Sequence, residues 1–140
     1  MTAIVVVTHE AHVAKAMVEL VGTVAAEVTS DAPQVLPACS PDDVLNILAH
    51  EPIGMLIVDC RLGDMTGIDL IRWLRPGLTA TTKILLTDDS RVLADPWTFG
   101  GSDINGVLPR PLGRQSLKHA LERYFKRSLM KPTQSVDTTE

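Results

Sequence analysis

Short apolar runs alternate with amphipathic stretches along the 140-residue chain, and this rhythm leaves few folds open. The run "AIVVVT" is β-branched and lacks helical spacing, as expected of a strand covered on both faces in a parallel sheet. Behind it Val13, Ala16, Met17, Leu20, Val21 and Val24 recur at three- and four-residue steps, which predicts a helix with one apolar stripe. "VLPAC" reads as a second strand and suits a sheet edge, because Pro37 cannot donate a ladder hydrogen bond. "SPDDVLNILAH" opens as a helix, with Ser40 as N-cap, Pro41 at the first helical position and two acids against the positive end of the dipole.

The same order continues to the end. "GMLIVD" is a strand that stops on Asp59, and a helix follows from about Gly67 to Arg75, ended by "PG". "KILLT" is the fourth strand and ends on Thr87. "SRVLADPWTFGG" should hold a short or distorted helix, since Pro96 lacks an N–H and clashes with the preceding turn. "GVLP" is the fifth strand, and Leu117, Ala120, Leu121, Tyr124 and Phe125 form the stripe of a last helix. The pattern predicts one domain over residues 1–127 and a flexible tail over 128–140. Five strands alternating with five helices make an α/β, doubly wound, flavodoxin-like fold: a five-stranded parallel sheet with helices on both faces.

In such a fold ligands sit beyond the carboxyl ends of the strands. Thr8, His9, Asp59, Thr87 and Arg110 all fall there and should converge on one crevice. A lone acid at a strand end needs no special role, since strand ends meet water; its neighbours are what give Asp59 significance. The net charge of −4 offers no broad cationic surface for phosphates, so nucleic acid is not an expected partner. No apolar run spans a bilayer and no signal peptide is visible, which reads as a cytoplasmic chain without membrane contact. Cys39 and Cys60 show neither CxxC spacing nor a surrounding histidine cluster.

The motifs together resemble the receiver domain of two-component response regulators. "LIVDCRLGDMTGIDLIRWLR" is similar to the phosphoacceptor strand, loop and third helix, "KILLT" to the fourth strand with its hydroxyl residue, and "GSDINGVLPRPL" to the fifth strand with its basic residue and proline; the likeness extends from about Ala3 to Phe125. The resemblance implies that Asp59 stands where a histidine kinase delivers a phosphoryl group, and that Thr87 stands where a hydroxyl binds the phosphoryl oxygen. Three departures qualify it. Thr8 and His9 occupy the positions of two acids that hold Mg²⁺, an ion that demands hard oxygen ligands. Glu10 follows but matches a position directed at the first helix. Arg110 replaces a lysine, and its permanently charged planar fork is able to clamp Asp59 at rest or to point to solvent. Val107 replaces a frequent aromatic switch residue.

The expected function is therefore that of an atypical or pseudo-receiver: a non-enzymatic phosphorelay module acting through protein contacts, with weak or no Mg²⁺-dependent phosphorylation at Asp59. Metal binding is expected to be weak or absent, and no cofactor is firmly implied. Expected partners are a histidine kinase or another signalling protein, or a second copy meeting through the fourth helix, fifth strand and fifth helix, with Trp97, Arg114, Lys118 and His119 as the partner face. Phe99 is expected to be the more buried of the two aromatics near that helix. The alternative is an ordinary phosphoaccepting single-domain regulator. An aspartate-nucleophile phosphohydrolase fits less well, since Arg61 stands where its second acid belongs.

Overall fold

The computed structural model describes residues 2–97 and 101–138, with backbone only for Ser102 and from residue 127 onward. Five strands alternate with five helices: β1 Ala3–Val7, α1 Ala11–Val28, β2 Gln34–Ala38, α2 Pro41–Leu48, β3 Ile53–Asp59, α3 Gly67–Trp73, β4 Thr82–Thr87, α4 Ser90–Ala94, β5 Gly106–Pro109 and α5 Arg114–Thr138. The strands form one parallel sheet in the order β2-β1-β3-β4-β5. The first connection leads outward and the later ones cross back the other way, so the topology reverses between β1 and β3. Both strands end at the crevice which that reversal opens.

Period-two alternation divides the core between the two faces of the sheet. Ile4, Val6, Met55, Ile57, Ile84 and Leu86 pack toward Val21 and Val24 of α1 and Leu117 and Leu121 of α5. Val5, Val7, Leu56, Val58 and Leu85 face Val44 of α2, Leu70 and Ile71 of α3, and Val92 of α4. Every residue of β1 and β3 is buried, as their unbroken apolar runs require. β2 lies at an edge and pairs only with β1, which accommodates Pro37. Ser40 caps α2 by accepting from the Asp43 N–H at 3.2 Å.

Between β3 and α3 a two-residue ladder, Arg61–Leu62 against Met65–Thr66, turns at Gly63, whose φ of +78° favours a residue without Cβ. Thr66 and Asp69 then close a capping box at the start of α3.

The elements depart from the sequence pattern in two places. Helix α3 stops at Trp73, and Arg75–Leu78 form a 3-10 turn instead of continuing it, since Pro76 disfavours helical backbone at the residue before it. On α1 the fully buried positions are Ala14, Val21, Val24 and Ala25, while Ala16 is exposed and Val13, Met17 and Leu20 are only half-buried. The upper half of the apolar stripe thus overhangs the sheet.

Candidate functional site

β3 delivers Asp59 to the carboxyl edge of the sheet, and the chain turns away at once because the Cys60 N–H donates across to Leu86 O at 2.8 Å. Gly67, the first residue of α3, crowds the Asp59 carbonyl so closely that a Cβ there would lie 2.3 Å from the oxygen. The turn therefore holds Asp59 at the crevice floor, where it is 5% exposed. Burying a carboxylate is costly unless it is paired. Its Oδ2 accepts from Thr8 Oγ1 at 3.5 Å, and its Oδ1 accepts from the Arg61 N–H at 3.4 Å. The opposing charge comes from Arg110, whose Nη1 lies 3.2 Å from Oδ1.

Arg110 sits immediately beyond β5, and its own N–H donates to Thr87 O at 3.0 Å, so the end of β4 fixes the base of the side chain that reaches Asp59. The contact is an ion pair made through one nitrogen, with 37% of the arginine side chain still open to solvent. Thr87 is buried, and its Oγ1 accepts from the Asp89 N–H at 3.1 Å. Thr8, Asp59, Thr87 and Arg110 are thus brought together as the strand-end rule requires.

His9 and Glu10 are not part of that group. Both are exposed, and the Glu10 carboxylate lies 3.7 Å from His12 Nε2 on the first turn of α1. Among the described residues no three His, Cys, Asp or Glu side chains gather into a metal-binding set. Oδ1 faces a guanidinium and Oδ2 a neutral hydroxyl, so the donors around Asp59 do not fit a hard divalent cation. Val107 packs half-buried against the core face of α3 and α4.

The residues expected to form a partner face lie after α4 and on α5. Trp97 is 66% exposed, while Phe99 lies outside the described residues. Arg114 pairs with Glu27 of α1, and Arg114 together with Lys118 holds the Glu27 carboxyl below the usual carboxylate range, the Arg114 hydrogen bond being the larger cause. Their charges are turned toward α1. His119 is exposed.

Two features at the crevice escaped the sequence reading. Arg61 Nη2 meets Asp88 Oδ1 at 3.3 Å across the mouth, an exposed pair that contributes little to stability. The hydrogen bond that Arg61 donates to the Cys60 sulfur, and then the charge of Asp88, push the pKa of the guanidinium further up. A cleft of about 370 Å³ also opens between α1 and the segment Arg110–Leu112, with Asp59 and His12 among its lining residues. No local pattern announces either, since both join segments far apart in the chain.

No family model matches the sequence, and no curated protein matches it. Solved structures do. A response regulator receiver domain from Methylobacillus flagellatus superposes with a TM-score of 0.71 at 17% identity, over 89% of this chain and 98% of the other. The signal receiver domain of an HD domain-containing protein from Pseudomonas fluorescens gives 0.69 at 21% identity, covering 94% and 92%. A receiver domain from Clostridium thermocellum gives 0.71 at 19% identity, covering 93% and 98%. The fold is that of a response regulator receiver domain. In this receiver fold Asp59 ends the central strand, Thr87 ends the next, and Arg110 follows β5 with a cis peptide to Pro111. Among the described residues no helix is long and apolar enough to cross a membrane.

Proposed function

We infer that this receiver fold serves as an atypical signalling module, in which Arg110 balances the charge of Asp59 and signals pass through protein contacts. Phosphorylation at Asp59 is weak or absent when it depends on Mg²⁺. The observation that carries this reading is the Arg110 to Asp59 ion pair at 3.2 Å, beside Thr8 and an outward-facing Glu10. Placing a phosphoryl group on a carboxylate gathers negative charge that must be neutralised as it develops. Arg110 supplies one positive charge to the crevice, and the β1 residues add no carboxylate through which a divalent ion would supply more.

The partners this reading implies are a histidine kinase or another signalling protein, with no enzymatic activity of the chain's own. Trp97 stands just beyond α4 and is the most exposed large apolar side chain among those described, which supports a contact surface on that side.

Intact-mass spectrometry after incubation with acetyl phosphate and Mg²⁺, alongside calorimetric titration with Mg²⁺, tests the proposal. Little added mass and weak heats are expected. Ready labelling that vanishes in Asp59→Asn, together with tight Mg²⁺ binding, would favour an ordinary phosphoaccepting regulator instead.

A further inference from the structure

The amino-terminal end of the sheet, opposite Asp59, holds a second cluster of charge. Lys83 is the second residue of β4, about 13 Å of strand before Thr87. Its backbone is fixed by Asn105, whose side-chain oxygen accepts from the Lys83 N–H at 2.7 Å. The half-buried lysine then donates from Nζ to Leu78 O at 3.1 Å and to Thr81 O at 2.8 Å. Asp103, before β5, is met on Oδ2 by Arg72 Nε at 2.8 Å and on Oδ1 by Arg75 Nη2 at 2.7 Å. Arg75, Thr79, Lys83 and Asp103, with Ile71 and Leu78, line a cavity of about 250 Å³.

The charges here do not balance. Three cations, Arg72, Arg75 and Lys83, accompany one carboxylate, and each oxygen of Asp103 is already taken by an arginine. Burial pushes the Lys83 ammonium below its ordinary value, and Asp103 is the one acid among the described residues whose charge opposes that shift. A half-buried ammonium without its own counter-ion is costly. An ammonium has three donors and a guanidinium five. Lys83 spends two on carbonyls and Arg75 spends one on Asp103, so both retain N–H groups for the cavity they line. At Asp59 one arginine meets one carboxylate; this cluster instead carries two positive charges in excess.

We propose that this cavity binds a compact dianion of the phosphate class, held between the guanidinium of Arg75 and the ammonium of Lys83. Two negative charges match the excess, and a tetrahedral oxyanion presents several acceptor oxygens to donors that arrive from separate elements. The volume lies just below the usual range of small-molecule sites, which suits free phosphate or a small phosphomonoester rather than a nucleotide. The site is at the far end of β4 from Thr87, so it is independent of whether Asp59 accepts a phosphoryl group.

Inorganic phosphate is the probe, in mildly alkaline buffer where it is a dianion, with sodium chloride holding the ionic strength constant. Amide NMR titration should move residues 75–83 and 103 to saturation, while chloride alone leaves them in place. The side-chain signals of Lys83 should titrate at higher pH with phosphate than without, because a bound anion favours the charged ammonium. Arg75→Gln, at an exposed position, should weaken binding roughly tenfold or more, the loss expected when a charged hydrogen-bonding partner is removed. Asp59→Asn and Arg91→Gln, at the other end of the sheet, should bind as the parent does. Glycerol phosphate tells the two sources apart, since tighter binding than phosphate assigns the site to an ester and weaker binding to the free anion. The proposal fails if the shifts never saturate, if chloride reproduces them, if Lys83 titrates alike with and without phosphate, or if Arg75→Gln keeps the parent affinity.

Discussion

Arg110 Nη1 stands 3.2 Å from Asp59 Oδ1, so the only buried carboxylate among the described residues faces a side chain that never loses its positive charge. The pair leaves the crevice balanced when nothing is bound. Arg110→Ala should destabilise the fold by about 1–3 kcal/mol, toward the lower end because the arginine is partly solvated. Asp59→Ala should cost less, and the double variant less than the two changes summed. Denaturant midpoints of the four proteins measure the coupling, and strict additivity would dissolve the pair.

Thr8 offers a second test, because its hydroxyl points at Asp59 Oδ2 from 3.5 Å and is itself buried. Thr8→Asp with His9→Asp adds two negative charges at the β1 end, one of them directly beside Asp59, beyond the single charge that Arg110 offsets. The variant should be less stable than the parent in EDTA and regain stability on adding Mg²⁺, while the parent midpoint stays unmoved by Mg²⁺. A variant indifferent to Mg²⁺ would mean that more than these two positions depart from a metal-binding crevice.

Gly67 should tolerate no side chain. A Cβ there would meet Asp59 O at 2.3 Å and the side chains of Leu85 and Val58 at 2.9 Å each, and the first of these is backbone that cannot swing aside. Gly67→Ala is expected to cost about 3 kcal/mol, the upper part of the range for overpacking, and to displace Asp59. Chemical denaturation with amide NMR of the Asp59 loop reads both effects.

Away from the crevice, Asp103 joins Arg72 Nε at 2.8 Å and Arg75 Nη2 at 2.7 Å, tying α3 and the turn after it to the segment before β5. The Arg72 hydrogen bond is the main reason the Asp103 carboxyl is held below its ordinary value. A depressed folded pKa stabilises above the unfolded pKa of about 3.9 and loses that contribution as pH falls through the folded value. Parent and Asp103→Asn should therefore differ most in stability at neutral pH and converge in acid. Thermal melts across that range would contradict the clasp if the gap stayed constant or widened toward low pH.

Trp97, two-thirds exposed, should be replaceable by alanine with less than about 0.5 kcal/mol change in stability. If it marks a contact surface, Trp97→Ala weakens self-association or partner capture in sedimentation or pull-down assays. Loss of the native circular dichroism spectrum would instead place it in the core.

Residues near one another in sequence determined the elements. The unbroken apolar runs predicted β1 and β3, Pro37 predicted an edge, and Ser40 with Pro41 predicted the start of α2, because strand burial, ladder donors and helix caps are local properties. The β-then-α order predicted the sheet and hence the meeting of Thr8, Asp59, Thr87 and Arg110 at one edge. Tertiary structure alone decided how those side chains pair. It turned Arg110 inward to Asp59 and directed Arg114 and Lys118 at Glu27. It also chose Ala14 over Ala16 as the buried face of α1, since spacing defines a stripe only to within part of a turn while the sheet's twist selects which edge of it is covered. Periodicity acts over a few residues; a charge finds its partner only when distant strands have ended side by side.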